Sequence, residues 1–479
     1  MRVICLTLLA FLPASLPTQQ APADSAVRLE ITSTSEEAIE LFWMALSETQ
    51  NYQETMSAQH LASALELDPT FGLARVAHAC MATGLNAEWS KSDARRGLSD
   101  LAMASGNEQL VGLAWYQRRC RRDWAFAKQL FAVAVERMPG EPFLAYQLAM
   151  AAPMTAWEQK RDALERVADR FPDFSPTYNY LAIYNLRTGR NERAEAAAQT
   201  YVTLEPDLPN AHDTYPQVLH WLGRYEEAAD HARRAIVIGA PPAWHDRLAN
   251  ILQLSGRGGE ARAVLEAALE IADPDDRPDL LFALGNSFLL DGVEERAVET
   301  FQQTALEAER LDRPVYVAAA YEQAAITDGL LGDGRAIEGH LAAAAAVRGL
   351  EHPRHIRASG LAYGFAGETE WSRREAGRLA ERGQEAWAAS AHLLEGLSYL
   401  RDGAYDEAES ELRLADPARP LTAALLAECY RGMKRLGDGR DMLDQSLSFT
   451  RLDLKENTGD ELGLAYARLL RPQFNSGTE

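Results

Sequence analysis

Residues 220–232 read HWLGRYEEAADHA, and the same pattern occurs at 185–197 as NLRTGRNERAEAA and at 253–265 as QLSGRGGEARAVL. In each copy a glycine is followed five residues later by an alanine, and the three glycines lie 34 and 33 residues apart. The pattern returns as LLDGVEERAVETF at 289–301 and as YLRDGAYDEAESEL at 399–412. A period of about 34 residues with helical composition predicts a stack of helical hairpins, each packed only against its neighbours.

The positions within this period predict how each hairpin forms. The eighth residue is usually alanine or glycine, which lets the second helix approach the first closely. The glycine in the turn can adopt a positive φ at little steric cost, and the proline near the repeat end cannot continue a helix. About twelve repeats fit between residues 37 and 455, and we expect an all-α fold without a sheet.

These residues resemble the tetratricopeptide repeat (TPR). The stretches TSTSEEAIELF at 32–42 and NAHDTYPQVLHWLGRYEEAADHA at 210–232 are similar in particular to exported bacterial proteins of that family. The resemblance covers roughly residues 37–455. It implies a right-handed superhelical solenoid with a concave groove built from the first helices. It also implies binding of a peptide or protein instead of catalysis.

The beginning of the chain resembles an export signal. Arg2 precedes an apolar run from Val3 to Leu12, and small and polar residues follow it. We expect residues 1–23 to be a signal peptide, cleaved between residues 14 and 24. The run is too short to span a bilayer, so we expect a protein exported to the periplasm or the medium, without a transmembrane segment.

The remaining flanks have simpler predictions. Residues 24–36 form an N-terminal flank, in which Thr34 together with Glu37 fits a capping box for the first helix. Residues 456–471 are predicted to form a helix that covers the last apolar face of the solenoid. Residues 472–479 are expected to be a disordered tail.

Charge and cysteine content restrict the possible partners and the covalent links. The chain carries 70 Asp and Glu against 48 Lys and Arg, a formal net charge of −22, so it should repel nucleic acids. Without the leader three cysteines remain, Cys80, Cys120 and Cys429. Cys80 and Cys120 are 40 residues apart where the local repeat is 38, and this offset makes us expect free thiols.

No catalytic motif stands out. H-E-x-x-H, G-x-S-x-G and P-loop patterns are all missing from the sequence, so we expect no enzyme, no cofactor and no metal site. His352 and His355 are close in sequence, but Pro353 separates them, and a loop between repeats explains the segment better than a metal site. An α/α-toroid hydrolase is the enzymatic alternative, and the short turns of this chain argue against it.

Amides and short acids recur at groove-facing positions of repeats five to eight. Such side chains can donate to and accept from a peptide backbone, and their recurrence one repeat apart suits an extended ligand. The predicted partner-binding residues are Asn179, Asp213, Gln217, His220, Asp246, Asn250, Gln253 and Asn286. Because we expect them to be exposed, replacing Asn250 and Asn286 should leave stability unchanged. A solvated inner wall without any ligand is the alternative.

The C-terminal part of the groove has a different predicted character, since Arg354, Arg357 and Arg401 make it positive. The whole pattern favours a non-catalytic scaffold that holds a peptide or protein partner, of unknown identity, in its concave groove. A structural subunit of an envelope complex, bound through its convex face, is the other non-enzymatic possibility.

Overall fold

A computed structural model describes residues 29–50, 54–81, 87–153, 156–448 and 460–475. Within these ranges the chain forms α-helices and a few short 3-10 and π segments, with no β-strand. The prediction of an all-α fold is therefore confirmed. The predicted signal peptide, residues 1–23, lies outside the described ranges. The chain consists of two compact units, the first ending at Arg190 and the second beginning at Asn191.

The first unit is built from helical hairpins, α1 with α2, α3 with α4, α5 with α6 and α7 with α8, and α9 is the first helix of the next repeat. Its described helices are α1 (Glu36–Gln50), α2 (Glu54–Leu67), α3 (Gly72–Met81), α4 (Ala87–Asp100), α5 (Gly106–Trp115), α6 (Trp124–Arg137), α7 (Pro142–Met150), α8 (Trp157–Arg170) and α9 (Pro176–Arg187). A 3-10 helix (Leu101–Met103) precedes α5 and a π-helix (Tyr116–Cys120) follows it, so the repeat is least regular here.

The first helix is capped one residue later than predicted. The Ser35 hydroxyl accepts a hydrogen bond from the backbone N–H of Ala38 at 3.2 Å, which makes Ser35 the capping residue. The backbone N–H of Thr34 instead donates to the Asp68 carboxylate at 2.8 Å, and the Ser33 hydroxyl donates to the same oxygen at 2.6 Å. Thr34 therefore ties the entry segment to the loop after α2.

The expectation of free thiols is wrong for Cys80 and Cys120, which form a disulfide with Cα atoms 5.1 Å apart. Cys80 lies near the end of α3, and Cys120 is the last residue of the π-helix that follows α5. A π-turn contains more residues than an α-turn, and this irregularity changes the register on which the sequence argument relied. Cys429, in the second unit, is a free and buried thiol.

The second unit continues the hairpin pattern with regular helices. They are α10 (Asn191–Leu204), α11 (Pro209–Trp221), α12 (Tyr225–Val237), α13 (His245–Leu254), α14 (Gly258–Ile271), α15 (Arg277–Leu290), α16 (Glu294–Arg310), α17 (Pro314–Leu331), α18 (Gly334–Arg348), α19 (Pro353–Phe365), α20 (Thr369–Ala380), α21 (Glu385–Arg401), α22 (Tyr405–Leu414), α23 (Pro420–Gly432), α24 (Leu436–Leu447) and α25 (Asp460–Asn475). From α11 to α24 each odd-numbered first helix packs against the even-numbered second helix that follows it.

Glycine has the two predicted uses in these hairpins. Gly223, in the turn between α11 and α12, has a φ of +75°, a conformation that other residues rarely adopt. Gly285, at the eighth position of its repeat on α15, lies so close to the second helix α16 that an added Cβ would be 2.6 Å from a ring carbon of Phe301. The repeat pattern thus determines both the turn and the close approach of neighbouring helices.

The last helix, α25, packs against α23 and α24 and covers the end of the helical stack, as its apolar pattern predicted. It also contacts α15, which lies much earlier in the chain. The helix includes Pro472 and ends at Asn475, so the predicted disordered tail from residue 472 differs from the observed helix. Residues 456–459 and 476–479 lie outside the described ranges.

Candidate functional site

The residues predicted to bind a partner all lie on first helices of hairpins or at their ends. Asn179 belongs to α9 of the first unit, where it is buried. The other seven lie in the second unit: Asp213, Gln217 and His220 on α11, Asp246, Asn250 and Gln253 on α13, and Asn286 on α15. The repeat alignment therefore assigned these residues to the correct helices.

Asp213 and Gln217 are the part of this set that remains accessible to solvent, since both are only partly buried. The Gln217 side-chain amide donates to the Asp213 carboxylate at 2.9 Å, one turn away on the same helix. The Arg247 guanidinium of α13 donates to the other oxygen of that carboxylate at 3.3 Å. Sequence reasoning missed Arg247 and chose its neighbour Asp246, which is buried and not exposed as predicted. The three side chains form a small polar surface across α11 and α13.

Asn250, Gln253 and Asn286 are completely buried, with 0% of each residue exposed. The expectation that they form an open wall is wrong, because α13 packs against α15 and α15 packs against α17. The Gln253 amide donates to Asp291 at 2.8 Å and accepts a hydrogen bond from the Ser287 hydroxyl at 2.8 Å.

Asn286 shows the same behaviour one repeat later. Its side-chain oxygen accepts a hydrogen bond from the Gln323 amide of α17 at 3.4 Å. Polar side chains at equivalent positions of successive first helices therefore meet one another in the seam between repeats. Such contacts satisfy buried polar groups and hold the helices in register.

His220 is buried as well, with 4% of its surface exposed. Burial and, to a smaller extent, the nearby Arg247 together lower the pKa of its imidazole to about 4, so the ring is neutral at pH 7. Its ring lies 5.8 Å from that of Tyr225 in an edge-on contact. Its Nε2 atom has no hydrogen-bond partner among the described residues. His220 is thus a core histidine in this state and not a surface ligand.

The helix α25 lies against the carboxyl ends of α13 and α15. The Arg468 guanidinium donates to the carbonyl oxygen of Leu290 at 2.9 Å and to that of Gln253 at 3.0 Å. It also lies 3.4 Å from the Asp291 carboxylate, which accepts from Gln253. Sequence reasoning missed this contact, because no local pattern relates Arg468 to a residue 178 positions earlier.

A second set of contacts holds α25 further along the same unit. The Tyr466 hydroxyl donates to the Glu428 carboxylate at 2.5 Å and accepts from Arg401 at 2.7 Å. Arg401 also pairs with Glu428 at 3.1 Å, and the rings of Tyr466 and Phe365 lie 5.2 Å apart. Arg401 is therefore compensated, and of the three arginines predicted to make this end positive only Arg354 and Arg357 remain.

The EHPRH segment has structural contacts. His352 precedes α19, and its ring accepts a hydrogen bond from the Arg354 backbone N–H at 3.2 Å, while His355 is buried near Glu322. No group of three or more His, Cys, Asp or Glu residues within the described ranges is arranged to hold a metal ion. None of the described helices is long and apolar enough to cross a bilayer.

Comparison with known proteins yields limited similarity. No protein-family profile matches the chain. A segment of 143 residues is 29% identical to the Vi polysaccharide export protein VexE of Salmonella typhi; it covers 30% of this chain and 21%, about a fifth, of that protein. A TPR protein from Thermus thermophilus is 22% identical over 36% of this chain and 95% of its own, with a TM-score of 0.31. One from Parabacteroides merdae is 13% identical over 56% and 93%, with a TM-score of 0.35.

Proposed function

We propose that this chain, whose helical repeats are similar to tetratricopeptide repeats, is an exported, non-catalytic scaffold that binds a segment of a protein partner. The proposed site is the face formed by the first helices of the second unit. The contacts of α25 carry the proposal, because this helix already lies on that face and is held by side chains and main-chain carbonyls. A segment of another polypeptide can use the same kinds of group.

The accessible anchors for such a segment are Asp213 and Gln217. An amide can donate to a peptide carbonyl and accept from a peptide N–H, and a carboxylate accepts from a backbone N–H. Arg247 compensates only part of the Asp213 charge. The negative charge that remains favours a neutral or basic segment over an acidic one. The buried amides Asn250 and Asn286 then support the site by holding the helices in place and do not touch the partner.

Two observations support an extracytoplasmic location. The Cys80–Cys120 disulfide in the first unit is typical of oxidising compartments such as the bacterial periplasm. Residues 1–23 have the sequence features of a signal peptide. We therefore place the proposed scaffold in the periplasm or outside the cell.

Cross-linking and pull-down from the envelope fraction test the proposed face. The full chain is compared with Asp213→Ala/Gln217→Ala, which removes the accessible polar pair from α11. The matched control is Asp230→Ala/Gln199→Ala, which removes one exposed acid and one exposed amide from the second helices α12 and α10. We expect the α11 variant to lose the partner and the control to retain it.

The opposite result would indicate that the partner binds to a different face of the chain. If the α11 variant captures the partner as well as the unchanged chain and the control variant loses it, binding occurs on the second helices. The alternative of an envelope-complex subunit that uses its convex face then becomes the better interpretation.

A further inference from the structure

A cavity of about 320 Å³ lies in the second unit, between the amino-terminal parts of α17, α19, α21 and α23. This volume falls at the lower end of the range typical of small-molecule sites. Its walls combine apolar side chains, including Leu393 and the ring of Trp387, with the hydroxyls of Ser390 and Thr422. It is separate from the polar pair on α11 and does not depend on the partner proposed above.

The charged lining of this cavity consists of four arginines and three carboxylates, an excess of one positive charge. They are Arg348, Arg354, Arg357 and Arg419, with Glu322, Asp416 and Asp460. Two of the carboxylates are in ion pairs: Arg348 lies 3.0 Å from Glu322, and Arg419 lies 3.2 Å from Asp460. The Asp416 side chain accepts a hydrogen bond from the Ala418 backbone N–H at 3.1 Å in its own turn.

These two ion pairs do not include Arg354 and Arg357, the other two arginines of the cavity. Neither guanidinium has an ion pair or a side-chain hydrogen bond with any residue in the described ranges. They are three residues apart on α19 and therefore lie on one face of the helix. Burial and the nearby Arg419 lower the pKa of the Arg357 guanidinium, and the carboxylates of Asp460, Glu461 and Glu322 offset only part of this effect. Because no carboxylate of the described residues is close enough to form an ion pair with either guanidinium, an anion bound in the cavity would supply the direct partner that both lack and would stabilise the site.

We propose that this cavity binds a small organic oxyanion, a carboxylate or phosphate carried by a compact body, with Arg354 and Arg357 as its charged ligands. A guanidinium matches both kinds of oxyanion because its N–H groups form a planar fork that can donate two parallel hydrogen bonds. The ring of Trp387 and the side chain of Leu393 provide an apolar surface for the body of the ligand. The hydroxyls of Ser390 and Thr422 can bind its polar groups.

Isothermal titration calorimetry on the full chain tests this site with four probes. Glucose 6-phosphate and glucuronate carry the two oxyanions on a compact body, inorganic phosphate is the anion alone, and glucose is the neutral body alone. We expect one site per chain for glucose 6-phosphate or glucuronate, weaker binding of phosphate and no binding of glucose. Arg354→Gln and Arg357→Gln should each weaken binding about tenfold or more, which is the usual effect of losing one charge-assisted contact.

Arg335→Gln is the matched control, because Arg335 is an exposed residue of α18 outside the cavity and the substitution removes the same charge. We expect it to bind like the unchanged chain. Arg354 is exposed, so Arg354→Gln should fold normally even if Arg357→Gln does not. Failure of both organic anions to bind, or equal weakening by Arg335→Gln, overturns the site. Phosphate binding as tightly as glucose 6-phosphate overturns the role of the organic body.

Discussion

Polar side chains on the first helices of the second unit have different environments in two parts of the unit. On α13 and α15, Gln253 and Asn286 are fully buried and bonded to side chains of neighbouring helices. On α19, Arg354 and Arg357 face a cavity and have no such partner among the described residues. The difference shows that a polar residue on a first helix is structural where the next repeat supplies its partner. Where no repeat does so, the residue is available to a ligand.

The largest expected effect concerns the buried amides. Gln253→Ala together with Asn286→Ala should lower the free energy of unfolding by about 3 kcal/mol, because Ser287 and Gln323 lose buried hydrogen-bond partners and Asp291 loses one of its donors. Urea unfolding followed by circular dichroism measures this change. This result would revise the expectation, drawn from the sequence, that the groove amides can be replaced without loss of stability.

Gln199→Ala together with Gln303→Ala is the control for that experiment, since both glutamines are exposed on second helices. This control variant should unfold within about 0.5 kcal/mol of the unchanged chain. Equal stability of the two double variants would mean that Gln253 and Asn286 contribute no more than surface amides. The distinction between a structural seam and a binding cavity would then fail.

A smaller effect is expected from pH. His220 has a folded-state pKa of about 4, below the ordinary value of 6.5, so between these values the unfolded chain binds a proton that the folded chain does not. The stabilising contribution is therefore present above pH 6.5 and is lost as the pH falls toward 4. From pH 7 to pH 5 the loss from this residue should be about 2 kcal/mol.

His220→Gln isolates this contribution, because the glutamine does not titrate. Urea midpoints measured at pH 7 and pH 5 should fall less for His220→Gln than for the unchanged chain. The other histidines with lowered pKa values remain in both proteins: His78, His212, His231, His245 and His352. Parallel pH profiles would show that His220 is accessible to protons in the folded state.

The accessible pair on α11 should matter still less for stability. Asp213→Ala/Gln217→Ala removes a partly exposed hydrogen bond and the ion pair with Arg247, which together should contribute about 1 kcal/mol or less. Thermal unfolding of the purified variant measures this. A loss of several kcal/mol would place the pair with the structural amides, and loss of the partner in the pull-down would then follow from unfolding.

The smallest effect is expected at the arginine cavity. Arg354→Gln should change the free energy of unfolding by no more than about 0.5 kcal/mol, and in the stabilising direction. The substitution removes the positive charge of Arg354, which forms no ion pair with the described residues and lies near the positive charge of Arg357. Urea unfolding at low ionic strength detects such a change. Clear destabilisation would show that Arg354 supports the fold, and the contrast with the amides of α13 and α15 would become weaker.

Much of the fold was predictable because each repeat is defined by the spacing of residues that are close together in the sequence. A glycine in each turn and a small residue at the eighth position predicted the hairpins, and Gly223 and Gly285 occupy the predicted environments. The alignment also placed the polar residues on the correct helices. The alignment did not predict which of them are exposed, because the burial of a side chain depends on which residues of the adjacent repeat pack beside it.

The sequence by itself determined the all-α hairpin architecture, since helix spacing, turns and close contacts between neighbours all repeat within about 34 residues. Only the tertiary structure decided three features: the Cys80–Cys120 disulfide, the position of Arg468 against α13 and α15, and the unpaired arginines on α19. Each depends on small displacements, such as one π-turn, or on the combined rotation of several stacked hairpins. The repeat period does not predict these features. A repeated pattern specifies how one helix packs against the next, but the position of two distant residues depends on the accumulated rotation of all the hairpins between them.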